Sequence, residues 1–255
     1  MRRQFWSKIE AGIAELVIEN PPVNALDSNG WRGLSLEIDR LNNEPAVRAI
    51  IIRAEGKGFC AGVDIKELQA YPDRIVEVNA GNYETFRALH RGLKPAIAAV
   101  HGYVLGGGIG ICGSVDIIIA SPDARFGVPE VDRGALGAGA HLQRMFPVQK
   151  VRQMYFTGEM IDAAEAYRLG AIEKIVSHEQ LRAAAFELAG KIAAKSPTII
   201  RLAKEALNGI EDGDLERHYR WEQGFTAQAY LTAESQEARD AFVQKRDADF
   251  SVRQR

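Results

Sequence analysis

The chain has 255 residues and a mass of 28.1 kDa, enough for one α/β domain, with or without an appendage. A formal net charge of −2 and a pI near 6.3 give no positive field that would favour nucleic acid as a partner. No apolar run reaches the roughly 18 residues of a membrane span, and the N-terminus lacks the apolar stretch of a signal peptide. The two cysteines, Cys60 and Cys112, have no metal-ligand spacing. We therefore expect a cytoplasmic protein without a membrane partner or a metal site.

Five apolar runs predict strands, because each is short, β-rich and bounded by Gly, Pro or acidic residues. They cover residues 14–18, 49–53, 96–100, 116–120 and 171–176. Helical patterns lie between them. One begins at Asp27 or Ser28, which are good N-caps, and a second covers about residues 74–92. This alternation predicts a layered α/β fold rather than a helix bundle.

The C-terminal part of the chain is almost entirely helix-forming. Helices are predicted at residues 181–195, 197–209, 215–230 and 235–250, and Pro197 suits the first turn of the second of these. A helical tail on an α/β body is typical of an oligomer contact or a lid, although such a tail can also pack only on its own body.

A glycine-rich turn organises the candidate site. The apolar strand at 96–100 leads into Gly106, Gly107 and Gly108, which open an apolar helix, so backbone N–H groups at the helix start face any ligand above the turn. Residues 108–113 also match G-x-G-x-x-G, which is typical of dinucleotide binding. The short helix, the absence of an acid at the end of the next strand and the mid-chain position all disfavour a dinucleotide.

A second loop, residues 55–67, also follows a strand and enters a helix. Two such turns can direct two N–H groups at one oxygen. Donors of this kind stabilise the negative charge of a thioester carbonyl as it becomes an enolate, and one donor typically contributes about 3 kcal/mol. Glu130 follows in the segment FGVPE, where it is the one acid in an apolar stretch.

Six segments, in order along essentially the whole chain, resemble the crotonase, or enoyl-CoA hydratase/isomerase, superfamily. They are PPVNAL at 21–26, GFCAGVDIKE at 58–67, VHGYVLGGG at 100–108, FGVPE at 126–130, AIEKIV at 171–176 and AFVQKR at 241–246. The resemblance implies an α/β spiral of ββα units over residues 1–195 and a helical trimerisation region over 196–255. It also implies a homotrimer or a dimer of trimers. The implied substrate is an acyl-CoA, with coenzyme A as part of the substrate and no permanently bound cofactor.

The resemblance also implies the site residues. Its two oxyanion donors are the N–H groups of Val63 and Gly107, which also contact the substrate. The other substrate- and CoA-binding residues are the turn after the first donor and two residues of the last helix, typically supplied by a neighbouring subunit: Asp64, Ile65, Lys66, Phe242 and Lys245.

The acid positions differ from the hydratase pattern. Hydratases of this family carry two glutamates, which together activate a water and deliver a proton. The second is present as Glu130, but the first position, three residues after Gly107, is Gly110. An apolar pocket should raise the pKa of Glu130 and suit it to proton transfer near neutral pH. The alternative is that Glu130 is only a structural helix cap.

The segment after Glu130, VDRGALGAGAHLQR, is most similar to a subgroup of CoA-thioester hydrolases that open a ring in steroid breakdown. In that chemistry water attacks a ring ketone and the carbon–carbon bond breaks to leave a thioester enolate. We expect an enzyme that acts through an enolate, by hydration or by hydrolytic C–C cleavage, with Glu130 as acid and base. Isomerisation of a 3-enoyl-CoA and non-catalytic acyl-CoA binding are the alternatives. Asp132 and His141 are either helpers or packing residues.

Overall fold

The computed structural model describes residues 4–211 and 214–249. The first three residues, the end of the predicted helix at 235–250 and the last part of the predicted 196–255 region lie outside the described residues.

Strands and helices alternate along the chain up to β9, and four long helices follow at the C-terminal end. The strands are β1 (Phe5–Glu10), β2 (Ile13–Ile18), β3 (Ala49–Ala54), β4 (Ala96–Val100), β5 (Tyr103–Leu105), β6 (Ile117–Ala120), β7 (Arg125–Gly127), β8 (Ile161–Asp162) and β9 (Lys174–Ile175). The α-helices are α1 (Ser28–Asn43), α2 (Ile65–Ala70), α3 (Ile75–His90), α4 (Gly107–Cys112), α5 (Gly139–Met145), α6 (Val148–Thr157), α7 (Ala163–Arg168), α8 (His178–Ala193), α9 (Pro197–Ile210), α10 (Leu215–Tyr230) and α11 (Ala233–Gln244). Short 3₁₀ helices lie at Pro72–Arg74 and Pro129–Arg133.

The larger sheet has the strand order β1-β2-β3-β4-β6-β9 and is parallel except for the β1–β2 hairpin. Both faces are buried, so its strands are nearly continuous apolar runs. Ile50 and Ile52 of β3 face the main core, whereas Ile51 faces the opposite side, where Leu181 and Ala185 of α8 cover the sheet. The helices on the main-core side include α1 and α3, which pack against each other.

A smaller sheet, β5-β7-β8, lies beyond the ends of the larger one. The chain leaves β4 for β5 and leaves β6 for β7, and after β3 it makes an isolated bridge from Cys60 to Val104 of β5. Successive turns of the chain therefore repeat the same step, from the first sheet to the second and on into a helix. This is the predicted spiral of ββα units, and it stacks the loops after β3, β5 and β7 beside one another.

Four of the five predicted strands are confirmed as β2, β3, β4 and β6, and the fifth shortens to β9. The prediction missed β1, β5, β7 and β8. Strand β1 was missed because three of its six residues are exposed, so it lacks an apolar run. It is held by a hairpin whose two turn residues, Ala11 and Gly12, both have positive φ. The predicted helices are confirmed within a few residues, and the helix at 215–230 is α10. The exception is the helix predicted at 235–250, which ends at Gln244 because Lys245 has a positive φ.

Candidate active site

The loops after β3 and β5 meet at two glycines. The Leu105 N–H donates to the Cys60 carbonyl over 2.9 Å, which ties the loops together. Gly62 has a φ of +88°, and a Cβ at this position would lie 3.1 Å from the Gly107 nitrogen. A side chain here would be strained in the backbone and would crowd the second loop. Gly62 therefore permits the close approach of the two loops.

Two N–H groups at this junction are free. Two backbone hydrogen bonds join this loop to Leu26. The Leu26 N–H donates to the Gly62 carbonyl over 3.0 Å, and the Asp64 N–H donates to the Leu26 carbonyl over 2.9 Å. The N–H of Val63, between them, therefore points away from Leu26. Gly107 is the first residue of α4, where backbone N–H groups have no intrahelical acceptor. Among the described residues neither N–H has a hydrogen-bond partner, so both can donate to one oxyanion.

Glu130 lies beside these donors, in the 3₁₀ helix Pro129–Arg133 that follows β7. A Cβ added to Gly106 would overlap Glu130 Oε1, so the carboxylate lies against the peptide that carries the Gly107 N–H. Its other oxygen, Oε2, is buried and has no hydrogen-bond partner among the described residues. Burial raises the pKa of Glu130 to about 7, against a backbone hydrogen bond and Arg133, which lower it. The carboxyl can therefore both take and give a proton near neutral pH.

Val63, Gly107 and Glu130 line one narrow cavity of about 40 Å³. Its apolar wall is formed mainly by Ile75, Val78, Phe86, Leu136 and Ala138. A cavity of this size holds one or a few water molecules. An acyl group can therefore enter only when part of the wall moves.

The position of the first hydratase glutamate is filled by an aromatic side chain. A Cβ on Gly110 would overlap the ring of Phe86, which projects from α3. Phe86 in turn packs against His141 and Tyr219, with ring centroids 4.6 and 5.3 Å away. The chain therefore lacks an acid at residue 110 and also lacks the space for one.

His141 and Asp132, whose roles the sequence left open, lie outside the cavity wall. Burial lowers the pKa of His141 to about 3, so the ring is neutral, and its Nδ1 has no hydrogen-bond partner among the described residues. It packs between Phe86 and Tyr219. Asp132 is exposed next to Gly158. These positions favour packing and surface roles.

The predicted CoA-binding residues lie in two groups. Asp64 caps α2, accepting from the Lys66 N–H over 2.9 Å, and Ile65 and Lys66 form the first turn directly after Val63. Phe242 lies in α11, where its ring stacks under the Arg133 guanidinium at 4.7 Å, and Lys245 ends that helix. Within the same chain, helix α11 packs against α2 and against the 3₁₀ helix Pro129–Arg133. The structure therefore brings Phe242 close to the site within one chain, and its predicted reach into a neighbouring subunit stays a prediction.

Sequence reasoning missed a carboxylate that holds the cavity wall. Glu222 of α10 accepts hydrogen bonds from the N–H groups of Gly139 and Ala140, at 2.7 and 3.1 Å, and from the Tyr155 hydroxyl at 2.8 Å. Burial raises the pKa of Glu222 although these three donors lower it. In sequence it is one acid among the many charged residues of α10, so no local signal marks it.

Within residues 4–211 and 214–249 no group of three or more His, Cys, Asp or Glu side chains could hold a metal ion. No described helix combines the length and the apolar character that a membrane span requires. Cys60 and Cys112 are buried, and burial raises the pKa of Cys60 to about 12, so that thiol stays protonated.

Comparison with known proteins gives a consistent assignment. A family model described as enoyl-CoA hydratase/isomerase matches residues 8–253. The chain is 45% identical over 238 residues to the (7aS)-7a-methyl-1,5-dioxo-2,3,5,6,7,7a-hexahydro-1H-indene-carboxyl-CoA hydrolase of Mycobacterium tuberculosis, covering 92% of this chain and 96% of that relative. It is 36% identical over 245 residues to the short-chain-enoyl-CoA hydratase of Clostridium acetobutylicum, covering 93% of each chain.

A solved structure, the carnitinyl-CoA hydratase from Mycobacterium avium, matches with a TM-score of 0.84 and 27% identity, covering 99% of this chain and 100% of that chain. The fold and these matches place the protein among the acyl-CoA enzymes of the crotonase superfamily. Within that class, the chain belongs to the enoyl-CoA hydratase/isomerase family.

Proposed function

We propose that the protein cleaves a carbon–carbon bond of a cyclic β-keto acyl-CoA by hydrolysis, through a thioester enolate. One observation carries the proposal: Glu130 is the only acid among the described residues that line the cavity, and Phe86 fills the place of a second one. A reaction that needs one group to take and return a proton suits this site better than one that needs two acids. The 45% identical relative is itself named as a hydrolase of a dioxo-indene-carboxyl-CoA.

The residues divide the reaction between them. Ionised Glu130 takes a proton from water while the water oxygen bonds to the ring-ketone carbon. The bond from that carbon to the α-carbon then breaks, and its electron pair forms the thioester enolate. The N–H groups of Val63 and Gly107 hold the enolate oxygen. Glu130 returns the proton to the α-carbon, so one water is consumed and the single product is a ring-opened acyl-CoA that carries a new carboxylic acid group.

The coenzyme A portion is proposed to run along the start of α2. Asp64, Ile65 and Lys66 follow directly on Val63, so a thioester held at Val63 has its CoA arm beside them. The exposed Lys66 and Lys245 are suited to the negatively charged phosphates of CoA, and Phe242 provides an apolar face.

Hydration of an enoyl-CoA is the second candidate. It is favoured by the similarity to the hydratase of Clostridium acetobutylicum and uses the same pair of N–H donors. The missing first acid argues against efficient hydration, because water activation and protonation of the same substrate face ordinarily use two positioned carboxylates.

A panel of three thioesters tests the proposal: a cyclic β-keto acyl-CoA such as 2-oxocyclohexane-carboxyl-CoA, crotonyl-CoA and a 3-enoyl-CoA. We expect ring opening, seen as a new carboxylate in the product, to be faster than hydration or double-bond migration. Glu130→Gln should reduce ring opening at least about 100-fold and change acyl-CoA binding only a few-fold.

The other outcomes each identify an alternative. Faster turnover of crotonyl-CoA than of every cyclic ketone would overturn ring opening in favour of hydration. Tight acyl-CoA binding without turnover or α-deuterium exchange would identify a non-catalytic binding protein. Unchanged ring opening by Glu130→Gln would remove Glu130 from the mechanism.

We further propose that residues 196–255 assemble the protein into a homotrimer or a dimer of trimers. The support is helix α9, which exposes four large apolar side chains: Ile199, Leu202, Leu207 and Ile210. A contiguous apolar stripe of this kind is typical of a protein–protein interface.

A further inference from the structure

Asn82 is a polar residue in the cavity wall with an unmet hydrogen-bonding atom. It lies on α3, one turn before Phe86, and only 6% of its surface is exposed. Its Oδ1 is buried and has no hydrogen-bond partner among the described residues. Buried polar atoms are nearly always paired, so an unpaired one in a cavity wall indicates a partner that enters the cavity.

Three other polar side chains near Asn82, those of Tyr219, Gln223 and Thr226, have partners. The phenol of Tyr219 is hydrogen-bonded by the side chains of Gln223 and Asn82, and the Gln223 amide donates to the Asn79 carbonyl over 2.7 Å. Thr226 donates to the Leu136 carbonyl over 2.8 Å. Asn82 Oδ1 has no such partner among the described residues.

The described cavity wall therefore has two buried side-chain atoms without a partner, Asn82 Oδ1 and Glu130 Oε2. Both are oxygens, and both accept hydrogen bonds when Glu130 is ionised. A water molecule has two O–H donors and fits a cavity of about 40 Å³. The pair of acceptors and the size of the space both suit a bound water molecule.

We propose that Asn82 holds the nucleophilic water of the ring-opening reaction and shares it with Glu130. The inference rests on the proposed hydrolytic function. One water proton is transferred to Glu130 as the C–O bond to the ring ketone forms, and the other stays on the oxygen, hydrogen-bonded to Asn82 Oδ1. Asn82 neither gains nor loses a proton, so the balance of the reaction is unchanged.

An amide suits this role better than a second carboxylate. A carboxamide oxygen accepts a hydrogen bond without carrying a charge, so it does not raise the pKa of Glu130 further or repel the enolate. Helix α3 thus supplies two side chains to the cavity wall: Phe86 fills the space at Gly110, and Asn82 supplies an uncharged acceptor.

The test compares two reactions of the same variant, Asn82→Leu, which removes the acceptor and keeps a similar volume. Hydrolysis of the cyclic β-keto acyl-CoA needs the water, whereas solvent-deuterium exchange at the α-carbon of a saturated acyl-CoA needs only Glu130 and the two N–H donors. We expect hydrolysis to fall about 100-fold and exchange to stay within threefold of wild type. Asn43→Leu makes the same change on the exposed face of α1, where the side chain donates to the Asp39 carbonyl away from the cavity, and should alter neither reaction.

A binding measurement shows whether Asn82 contacts the water or the ketone oxygen of the substrate. Affinity for the cyclic ketone is measured in the Glu130→Gln variant, where turnover is blocked. Adding Asn82→Leu to that variant should change this affinity by no more than threefold. The assignment to water would be overturned if Asn82→Leu weakened binding of the cyclic ketone more than tenfold relative to binding of the saturated thioester. Hydrolysis at the wild-type rate, or an equal fall of hydrolysis and exchange, would overturn it as well.

Two further outcomes, a variant that does not fold and a wild type that does not cleave the ketone, also have defined consequences. If Asn82→Leu does not fold, Asn82→Ala is measured in its place with the same expected split between the reactions. If the wild-type protein exchanges the α-proton and cleaves no cyclic ketone, the proposed function is overturned and the role of Asn82 with it. Cleavage by wild type that persists in the Asn82 variants overturns only the role of Asn82.

Discussion

At the scale of single residues, the buried carboxyl of Glu130 links both activity and stability to pH. Its pKa of about 7 in the folded protein lies above the ordinary value of 4.5 because burial disfavours the charged form. The base that takes a proton from water is the ionised form, so ring opening should become faster as the pH rises through about 7. Stability should change in the opposite direction.

The pH dependence of stability follows from the sign of the shift. Below pH 4.5 the carboxyl is protonated in both states and contributes no difference. Between pH 4.5 and about 7 the unfolded state ionises first, so the folded protein loses stability as the pH rises. Glu130→Gln removes this effect. We expect the variant to be more stable than wild type by up to about 3 kcal/mol at pH 8 and equally stable at pH 4, measured by urea unfolding. Equal stabilities at pH 8 would show that the carboxyl is not desolvated.

At the scale of elements, helices α6 and α10 hold the loop that covers Glu130. Glu222 of α10 accepts from Gly139 and Ala140, and Tyr155 of α6 donates to Glu222 and accepts from the Gly137 N–H at 3.2 Å. A Cβ on Gly137 would lie 3.7 Å from the Glu130 side chain. The two helices therefore fix the wall that must move when an acyl group enters.

This arrangement predicts unequal effects of two substitutions. Glu222→Leu leaves the half-buried N–H groups of Gly139 and Ala140 without their acceptor, so we expect a loss of about 1 kcal/mol or more for each group and a fall in kcat. Tyr155→Phe keeps both of these bonds and removes the acceptor of one N–H group, that of Gly137, so it should cost only about 1 kcal/mol. The measurements are thermal unfolding, kcat and hydrogen exchange at Gly139 and Ala140. Exchange that is no faster in Glu222→Leu than in Tyr155→Phe would contradict the role of Glu222.

At the scale of the whole molecule, helix α9 is packed with its polar side inward. Lys204 is buried, and its ammonium group donates to the Leu89 carbonyl at 2.8 Å and to Asp116 at 2.8 Å. The Asn208 amide donates to the His90 carbonyl at 2.6 Å. These bonds fix the rotation of α9 and leave its apolar stripe at the surface, where another subunit can cover it.

The oligomeric state tests this orientation. The wild-type protein should have a mass near three or six times 28.1 kDa in analytical ultracentrifugation. The double variant Leu202→Glu, Leu207→Glu places charges on the exposed stripe and should shift the protein towards 28.1 kDa. Lys191→Glu, on the exposed side of α8, is the control and should not change the mass. A wild-type protein that sediments as a monomer would contradict the proposed role of α9.

The sequence by itself determined the layered α/β fold, the two glycine-containing loops, the position of Glu130 and the absence of an acid at Gly110. These features are encoded locally: apolar runs predict buried strands, glycines permit close backbone approaches, and a residue without a side chain cannot be an acid. The short strands β5, β7 and β8 were missed because a few residues carry too little periodicity to predict a strand.

Tertiary structure alone decided which side chains share the cavity with Glu130 and which hold its wall in place. Phe86 and Asn82 belong to α3 and Glu222 to α10, far along the chain from Glu130, and no local pattern relates them to it. The orientation of α9 was equally hidden, because an amphipathic sequence predicts that the apolar side faces its own core. The physical reason is the same in each case. A residue's role in this protein depends on which partner it contacts, and those contacts form only when distant segments of the chain pack together.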